Sequence, residues 1–207
     1  MLERSRTTDI VVEVDLCVAK DYHRRAEIKI EKVAFLEHIF KQHASRILNL
    51  HVISSIYQNI PSFPPSTPRL QILDLYHHAS GTNIPHFPTL LLSASPLEEL
   101  RLEGYKVDWT NFTFPGLKTL ALKYIRPFEG STSVIPFIEA LQRTRRLQML
   151  HINCSLPKFI ASEDLSAVAP VELLSLRELY LEDSQEGYNA KFLSCLRIPS
   201  VTLVEVE

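Results

Sequence analysis

The stretch Leu97-Glu98-Glu99-Leu100-Arg101-Leu102 follows the pattern Leu-x-x-Leu-x-Leu. Four further copies, with leucine or isoleucine in the last place, begin at Leu70, Leu117, Leu147 and Leu176. The chain has 30 leucines among its 207 residues. A random order of that composition would give about one copy. Five copies therefore mark a repeated structural unit.

Three more units appear when any aliphatic residue is allowed at the first, fourth and sixth places. They are Val11/Val14/Leu16, Ile47/Leu50/Val52 and Ile198/Val201/Leu203. The eight units begin 20 to 36 residues apart. Most of these intervals lie within or just beyond the ~20 to 29 residues of a leucine-rich repeat. The pattern predicts an α/β fold: an irregular leucine-rich-repeat solenoid of about eight units, with a parallel sheet on the concave face and short helices and turns on the convex face. We interpret residues 1–207 as a single domain, because each unit of a solenoid packs only on its neighbours.

The segments between the strands hold the predicted helices. In residues 31–43, Val33, Leu36 and Phe40 share one helical face with Phe35 and Ile39 beside it, so this long interval should hold the best-formed helix. Shorter helices are expected after Ser133 and Ser162 and from Asn189, whereas the aromatic segment 109–116 should form a turn. Many leucine-rich repeats carry an asparagine after each strand. Here that place holds Tyr105, Ile125, Ser155 and Ser184.

Composition and charge limit the cellular locations and the classes of partner that we expect for this protein. An apolar fraction of 45% is that of an ordinary globular protein. No apolar run approaches the ~20 residues that cross a bilayer, and residues 1–9 lack the apolar stretch of a secretory signal. Three cysteines without metal-like spacing fit reduced thiols, so we expect a cytoplasmic or nuclear protein. A net charge of -2 without a basic cluster argues against nucleic acid as a partner.

The third, fifth and seventh places of each unit should face outward, because side chains alternate along a strand. Stacked units would align these places in columns on the concave face, the usual binding face of a solenoid. Mixed charge with Tyr, Met and Arg suits a protein or peptide partner. The predicted partner-binding residues are those at the centre of the array: Asp74, Tyr76, Glu99, Arg101, Glu103, Lys123, Met149, His151 and Tyr180. The alternative is a merely solvated face, on which Asp74 and Arg101 form a cross-strand pair.

Motifs for catalysis or metal binding are weak. Five glycines in the whole chain offer no phosphate-binding loop and no nucleophile elbow. His77 and His78, with His86 nearby, should point to opposite faces of a strand end, and a pairing of His151 with Cys154 lacks a third orienting group. We expect no catalytic residue, no metal and no cofactor. A small α/β hydrolase or metal-dependent enzyme, and a non-functional relic or fragment, stay as alternatives.

Five stretches carry a resemblance to a known family: Leu2-Glu3-Arg4-Ser5, residues 10–16, Ala94-Ser95-Pro96-Leu97-Glu98-Glu99-Leu100-Arg101-Leu102, residues 114–120 and residues 137–152. They resemble the leucine-rich-repeat region of fungal, basidiomycete-type F-box proteins, and the resemblance spans nearly the whole chain. In that family an N-terminal F-box motif docks on a Skp-type adaptor of a cullin-RING ubiquitin ligase. The repeats hold the protein substrate. The resemblance thus implies a non-catalytic substrate-recognition scaffold.

The F-box motif itself is missing from this sequence. The resemblance therefore implies a Skp-type adaptor as partner only if an F-box exists upstream of Met1. The last unit also lacks the polar cap that terminal repeats normally need, so we expect its open edge to be covered by another chain or by missing sequence.

Overall fold

Each unit of the repeated pattern contributes one strand to a parallel sheet. The computed structural model describes residues 8–17, 25–54, 67–78, 84–87, 96–127, 133–156, 169–182 and 187–207. The strands of this described part are β1 Ile10–Asp15, β2 Ile47–Ser54, β3 Ile72–His77, β4 Glu99–Glu103, β5 Lys106–Val107, β6 Thr119–Lys123, β7 Arg126–Pro127, β8 Met149–Asn153, β9 Val171–Glu172, β10 Glu178–Glu182, β11 Leu196–Arg197 and β12 Leu203–Val206. One eight-stranded sheet has the order β1-β2-β3-β4-β6-β8-β10-β12, and the short strands pair as β5-β7 and β9-β11. The α/β class and the parallel stack are therefore as predicted.

The leucines of the pattern form the core of the stack. In β4, Leu100 and Leu102 are buried while Glu99, Arg101 and Glu103 are half-buried. The same alternation holds in β6, β8 and β10. The first-place leucines, just before the strands, are buried as well, namely Leu70, Leu97, Leu117, Leu147 and Leu176. Burying one leucine fully is worth about 1.5 to 3 kcal/mol, so three per unit supply most of the stabilisation of each layer.

A tight turn precedes β6, β8 and β10 and determines where each of these strands begins. The leucine at the first place of the unit donates its backbone N–H to the carbonyl of the residue three positions earlier. The pairs are Leu117 to Phe114, Leu147 to Thr144 and Leu176 to Leu173, with nitrogen–oxygen distances of 3.0 to 3.1 Å. This hydrogen bond is that of a β-turn. The chain therefore enters each of these strands in the same geometry although the segments between strands differ in length.

A second regular feature follows the strands. The residue after β4, β6 and β8 has positive φ: 74° at Gly104, 52° at Tyr124 and 47° at Cys154. Each of the three donates its N–H to the last carbonyl of the next strand in the sheet. The left-handed residue turns the following side chain inward, so Tyr105, Ile125 and Ser155 are buried. Ser184, predicted at the equivalent place, lies outside the described residues.

The two end strands differ in register from the predicted columns. The fifth places of the first two units are Asp15 and His51, which the pattern places side by side. In the structure Glu13 pairs with His51 and Asp15 with Ile53, a shift of two residues. Val12 is buried together with Val14 and Leu16, and a period of two fits either register.

At the other end, the fifth place of the last unit is Thr202, which the pattern places beside Tyr180. In the structure Glu205 takes that place, a shift of three residues. The predicted inward residues of that unit, Val201 and Leu203, are instead 86% and 66% exposed. A turn from Pro199 to Thr202 delays the start of β12. An odd shift exchanges the two faces of the strand.

The helices agree in place but not in every boundary. Helix α1 spans Arg25–His43 and so begins earlier than predicted; Leu36, Ile39 and Phe40 are buried, but Phe35 is 54% exposed. Helix α2 spans Ile135–Gln142 and so follows Ser133 as predicted, and Val134, Phe137, Ile138 and Leu141 are buried. Helix α3 spans Tyr188–Ser194 and ends before Leu196. The helix predicted after Ser162 lies outside the described residues.

None of the described helices combines the length and apolarity needed to cross a membrane.

The aromatic segment 109–116 forms the predicted turn. The ring of Trp109 lies 4.9 Å from that of Phe112 and 4.7 Å from that of Phe137 in α2. Phe112 contacts Phe114 edge to face at 4.7 Å. This cluster fills the layer that has the shortest interval between units, so aromatic rings replace a helix as the packing element there.

Leu120→Ala should lower the free energy of unfolding by about 2 to 5 kcal/mol, because it leaves a cavity in the middle of the stack. Leu120 is fully buried. Thr119→Ala, on the neighbouring outward residue, is the matched control and should cost about 0.5 kcal/mol or less. Urea denaturation measures both, and an equal effect of the two substitutions would contradict the inward position of Leu120.

Gly104→Ala should destabilise the protein more than Gly187→Ala. Both glycines have positive φ, which costs an alanine about 1 to 2 kcal/mol. A Cβ on Gly104 would also lie 2.1 Å from the carbonyl oxygen of His77, whereas no described atom lies within 4 Å of a Cβ on Gly187. Thermal unfolding of the two variants isolates the cost of the close approach. Equal melting temperatures would show that His77 does not press on this turn.

Candidate functional site

The nine predicted partner-binding residues all lie on one face of the sheet. We call this the open face and define it by the side chains that alternate with the buried leucines in β3, β4, β6, β8 and β10. The pairing of these inner strands is in register, so the fifth-place column is Asp74, Arg101, Ala121, His151 and Tyr180. The third-place column contains Glu99 and Met149, and the seventh-place column contains Tyr76, Glu103 and Lys123.

Arg101 is the centre of a charged group on this face. Its Nη1 donates to Asp74 Oδ2 at 3.2 Å across the strands, and its Nη2 donates to Glu99 Oε2 at 2.8 Å along its own strand. His51 Nδ1 lies 3.4 Å from the same Asp74 oxygen. The cross-strand pair of Asp74 and Arg101, which the alternative of a solvated face includes, is therefore present. Two carboxylates hold the guanidinium in one orientation while about 40% of its side chain stays exposed.

Glu103 forms a second charged group beside the first. Its carboxylate lies 3.5 Å from Lys123 Nζ and 3.4 Å from His78 Nδ1. Between the two groups, the ring of Tyr76 lies 5.1 Å from that of His51. Burial raises the pKa of the Tyr76 hydroxyl, nearby Asp74 and Glu103 raise it further, and Arg101 opposes them. Tyr76 therefore stays a neutral hydroxyl among charges.

The β8 and β10 side of the open face is organised differently. His151 Nε2 lies 2.8 Å from Glu178 Oε1. The Tyr180 hydroxyl lies 3.0 Å from a Glu182 oxygen and 3.2 Å from a Glu207 oxygen, and Asn153 Nδ2 donates to Glu182. The hydrogen bond to Glu182 raises the pKa of Tyr180 to about 12. The Thr119 hydroxyl donates to Met149 Sδ at 3.8 Å, and this contact restricts the flexible Met149 side chain.

Sequence reasoning omitted several residues that complete these groups. His51, Glu178 and Glu182 belong to the same outward columns but lie outside the chosen centre of the array. His78 directly follows β3 and is not among the nine predicted residues. His151 pairs in register with Tyr180, and Glu178 lies two residues before Tyr180 on the same face. Diagonal neighbours of this kind are within reach of long side chains, so the pattern of outward residues could have identified His151 with Glu178.

His77, His78 and His86 do not come together as one site in the described structure. His77 is buried with its ring 6.1 Å from that of Tyr105, and burial lowers the pKa of His77. His78 faces Glu103, on the opposite side of the strand as predicted. His86 forms a backbone bridge with Lys106. Within the described ranges, no three His, Cys, Asp or Glu side chains form a group that could hold a metal ion.

Glu182→Gln should lower the pKa of Tyr180, because the charged acceptor that favours the protonated hydroxyl is replaced by a neutral one. Carbon-13 NMR of labelled tyrosine rings across alkaline pH measures the shift. Glu172→Gln is the matched control, since Glu172 lies in β9 and pairs with Arg197. An unchanged Tyr180 pKa in Glu182→Gln would contradict the hydrogen bond.

Comparison with protein-family models, with curated proteins and with solved structures found no match to this chain. The geometry of the open face and the residue patterns are therefore the observations on which a function can be proposed. The resemblance to fungal F-box proteins stays a prediction from the sequence.

Proposed function

We propose that this protein is a non-catalytic protein-binding scaffold of the leucine-rich-repeat type, and that the open face holds the partner. The observation that carries the proposal is the alignment of nine mixed polar, charged and aromatic side chains across five adjacent parallel strands. Parallel stacks of this kind present long, regular surfaces, which suit extended contact with another protein. By resemblance, the partner is a protein substrate that the chain presents to a cullin-RING ubiquitin ligase.

The composition of the open face supports a protein ligand. Arginine and tyrosine are the residue types that most often dominate binding energy at protein interfaces. Arg101, Tyr76 and Tyr180 are each held by neighbours on the face, at the distances given above. A side chain that is already oriented loses less conformational entropy on binding. These three are the anchors that we expect to contribute most.

The ligase role needs a further element. A Skp-type adaptor binds only through an F-box, so this chain would join a ligase only as part of a longer polypeptide that carries one. The genomic sequence upstream of Met1 tests this part alone. An in-frame F-box would support the ligase role, and its absence would leave the scaffold without it.

The scaffold proposal is tested by site-specific photocrosslinking in cells. A crosslinker at Lys123, on the open face, should capture a partner that a crosslinker at Arg145, exposed outside that face, does not capture. Arg101→Ala combined with Tyr180→Ala should reduce that capture at least about tenfold, since anchor residues cost more than about 1 kcal/mol each. Arg145→Ala combined with Leu174→Ala is the matched control and should leave capture unchanged.

Melting temperatures of both double variants must match the parent, so that a loss of capture reports contact and not unfolding. Equal capture at Lys123 and Arg145, or capture that survives the open-face double variant, would overturn the proposal. A turnover screen with bound-metal analysis tests the enzyme alternative separately.

A further inference from the structure

Strand β12 is the last strand of the described sheet and has a neighbour on one side only. Leu203 donates its N–H to the Arg177 carbonyl at 2.9 Å, and Glu207 donates to the Leu181 carbonyl at 3.0 Å. In a parallel strand, alternate residues direct their backbone groups to opposite sides. The N–H and C=O groups of Val204 and Val206 therefore point away from β10, where no described strand lies. Such a row of backbone groups is a template for one more strand.

The side chains of β12 are also those of a strand that lacks a neighbour. Val204 and Val206 pair with Leu179 and Leu181, the buried residues of β10, and so continue the core side of the sheet. Leu179 and Leu181 are fully buried, whereas Val204 and Val206 are 41% and 47% exposed. A further strand with aliphatic residues at the matching positions would cover both valines, as β12 and β8 cover the leucines of β10.

The opposite side of the same edge is acidic. On the open face, β10 carries Glu178, Tyr180 and Glu182, and β12 carries Leu203 and Glu205 with Glu207 directly after it. These outward positions hold four carboxylates and no lysine or arginine. A strand added beside them would be stabilised by basic side chains at its outward positions.

The charges disfavour a second copy of this chain as the added strand. At the other end of the sheet, β1 carries Glu13 and Asp15 on the outward positions, so stacking of β1 on β12 would place carboxylates next to Glu205 and Glu207. Pairing of two β12 strands would do the same. Like charges directly opposite each other are destabilising in a sheet. The described charges at this edge thus disfavour self-association, and none of the described strands pairs with its outer backbone groups.

We propose that the edge of β12 on which no described strand lies binds an extended segment of a partner protein in which aliphatic residues alternate with lysine or arginine. The segment adds a ninth strand: its backbone bonds to Val204 and Val206, its aliphatic residues cover these valines, and its basic residues face Glu205 and Glu207. This strand-addition site is independent of the proposed function of the open face, and one can fail without the other.

The test uses three labelled six-residue peptides and fluorescence anisotropy with the full chain. The first alternates valine and lysine, the second has the same composition in two blocks, and the third alternates valine and glutamate. We expect saturable binding of the first, and at least about tenfold weaker binding of the other two. Hydrogen exchange should show new protection at the amides of Val204 and Val206 when the first peptide is bound.

Glu205→Lys combined with Glu207→Lys should reverse the preference toward the valine–glutamate peptide. Glu31→Lys combined with Glu37→Lys changes the net charge equally on two exposed positions of α1 and should leave the preference unchanged. Equal binding of the blocked peptide would overturn the proposal, because charge alone would then explain the affinity. So would protection confined to other strands, or a self-associated protein in sedimentation that the peptide does not dissociate.

Discussion

The structure depends on the burial of leucine at three places in every unit. Leu100 is covered only because Leu73 and Leu120 stand at the same register position in the strands on either side. A slip of one residue would expose all of these side chains at once, so the core dictates the register of the sheet. Register in turn dictates which outward side chains are neighbours. The open face, with Asp74 beside Arg101 and His151 beside Tyr180, is therefore a consequence of how the leucines pack.

The turn after each strand extends this order beyond the sheet. Backbone donation by Gly104, Tyr124 and Cys154 continues the ladder where many leucine-rich repeats use an asparagine side chain. In one layer a side chain takes part: Ser155 Oγ accepts from the Ile125 N–H at 3.0 Å and donates to the Asn153 carbonyl at 2.7 Å. Different residues can thus meet one backbone requirement. The irregular sequence after the strands is compatible with a regular path of the chain.

The sequence predicted the inner strands and not the ends, for a physical reason. An inner strand is covered on both sides, so its leucine pattern permits one register. Among the described strands, β1 and β12 each have one neighbour. The additional buried valine Val12 decides the position of β1, and the turn at Pro199 decides that of β12. The outward columns of the site were likewise predictable from the period of two. The pairing of Arg101 with Glu99, in addition to Asp74, was not predictable. A contact within one strand depends on side-chain rotamers, which a sequence pattern does not specify.

Charge is distributed unevenly along the open face, so the two ends of this face differ electrostatically. Near β3, β4 and β6, Arg101 and Lys123 are already paired with carboxylates, so covering that region changes little in its electrostatic balance. Toward β10 and β12, Glu178, Glu182, Glu205 and Glu207 have histidine, asparagine and tyrosine as described neighbours, and none of these is a permanent cation. A partner with one basic end would gain attraction at the β12 side only, since complementary charge sets orientation more than total affinity. The leucine core makes the spacing of the outward side chains regular, and the carboxylates near β12 make one end of this surface different from the other.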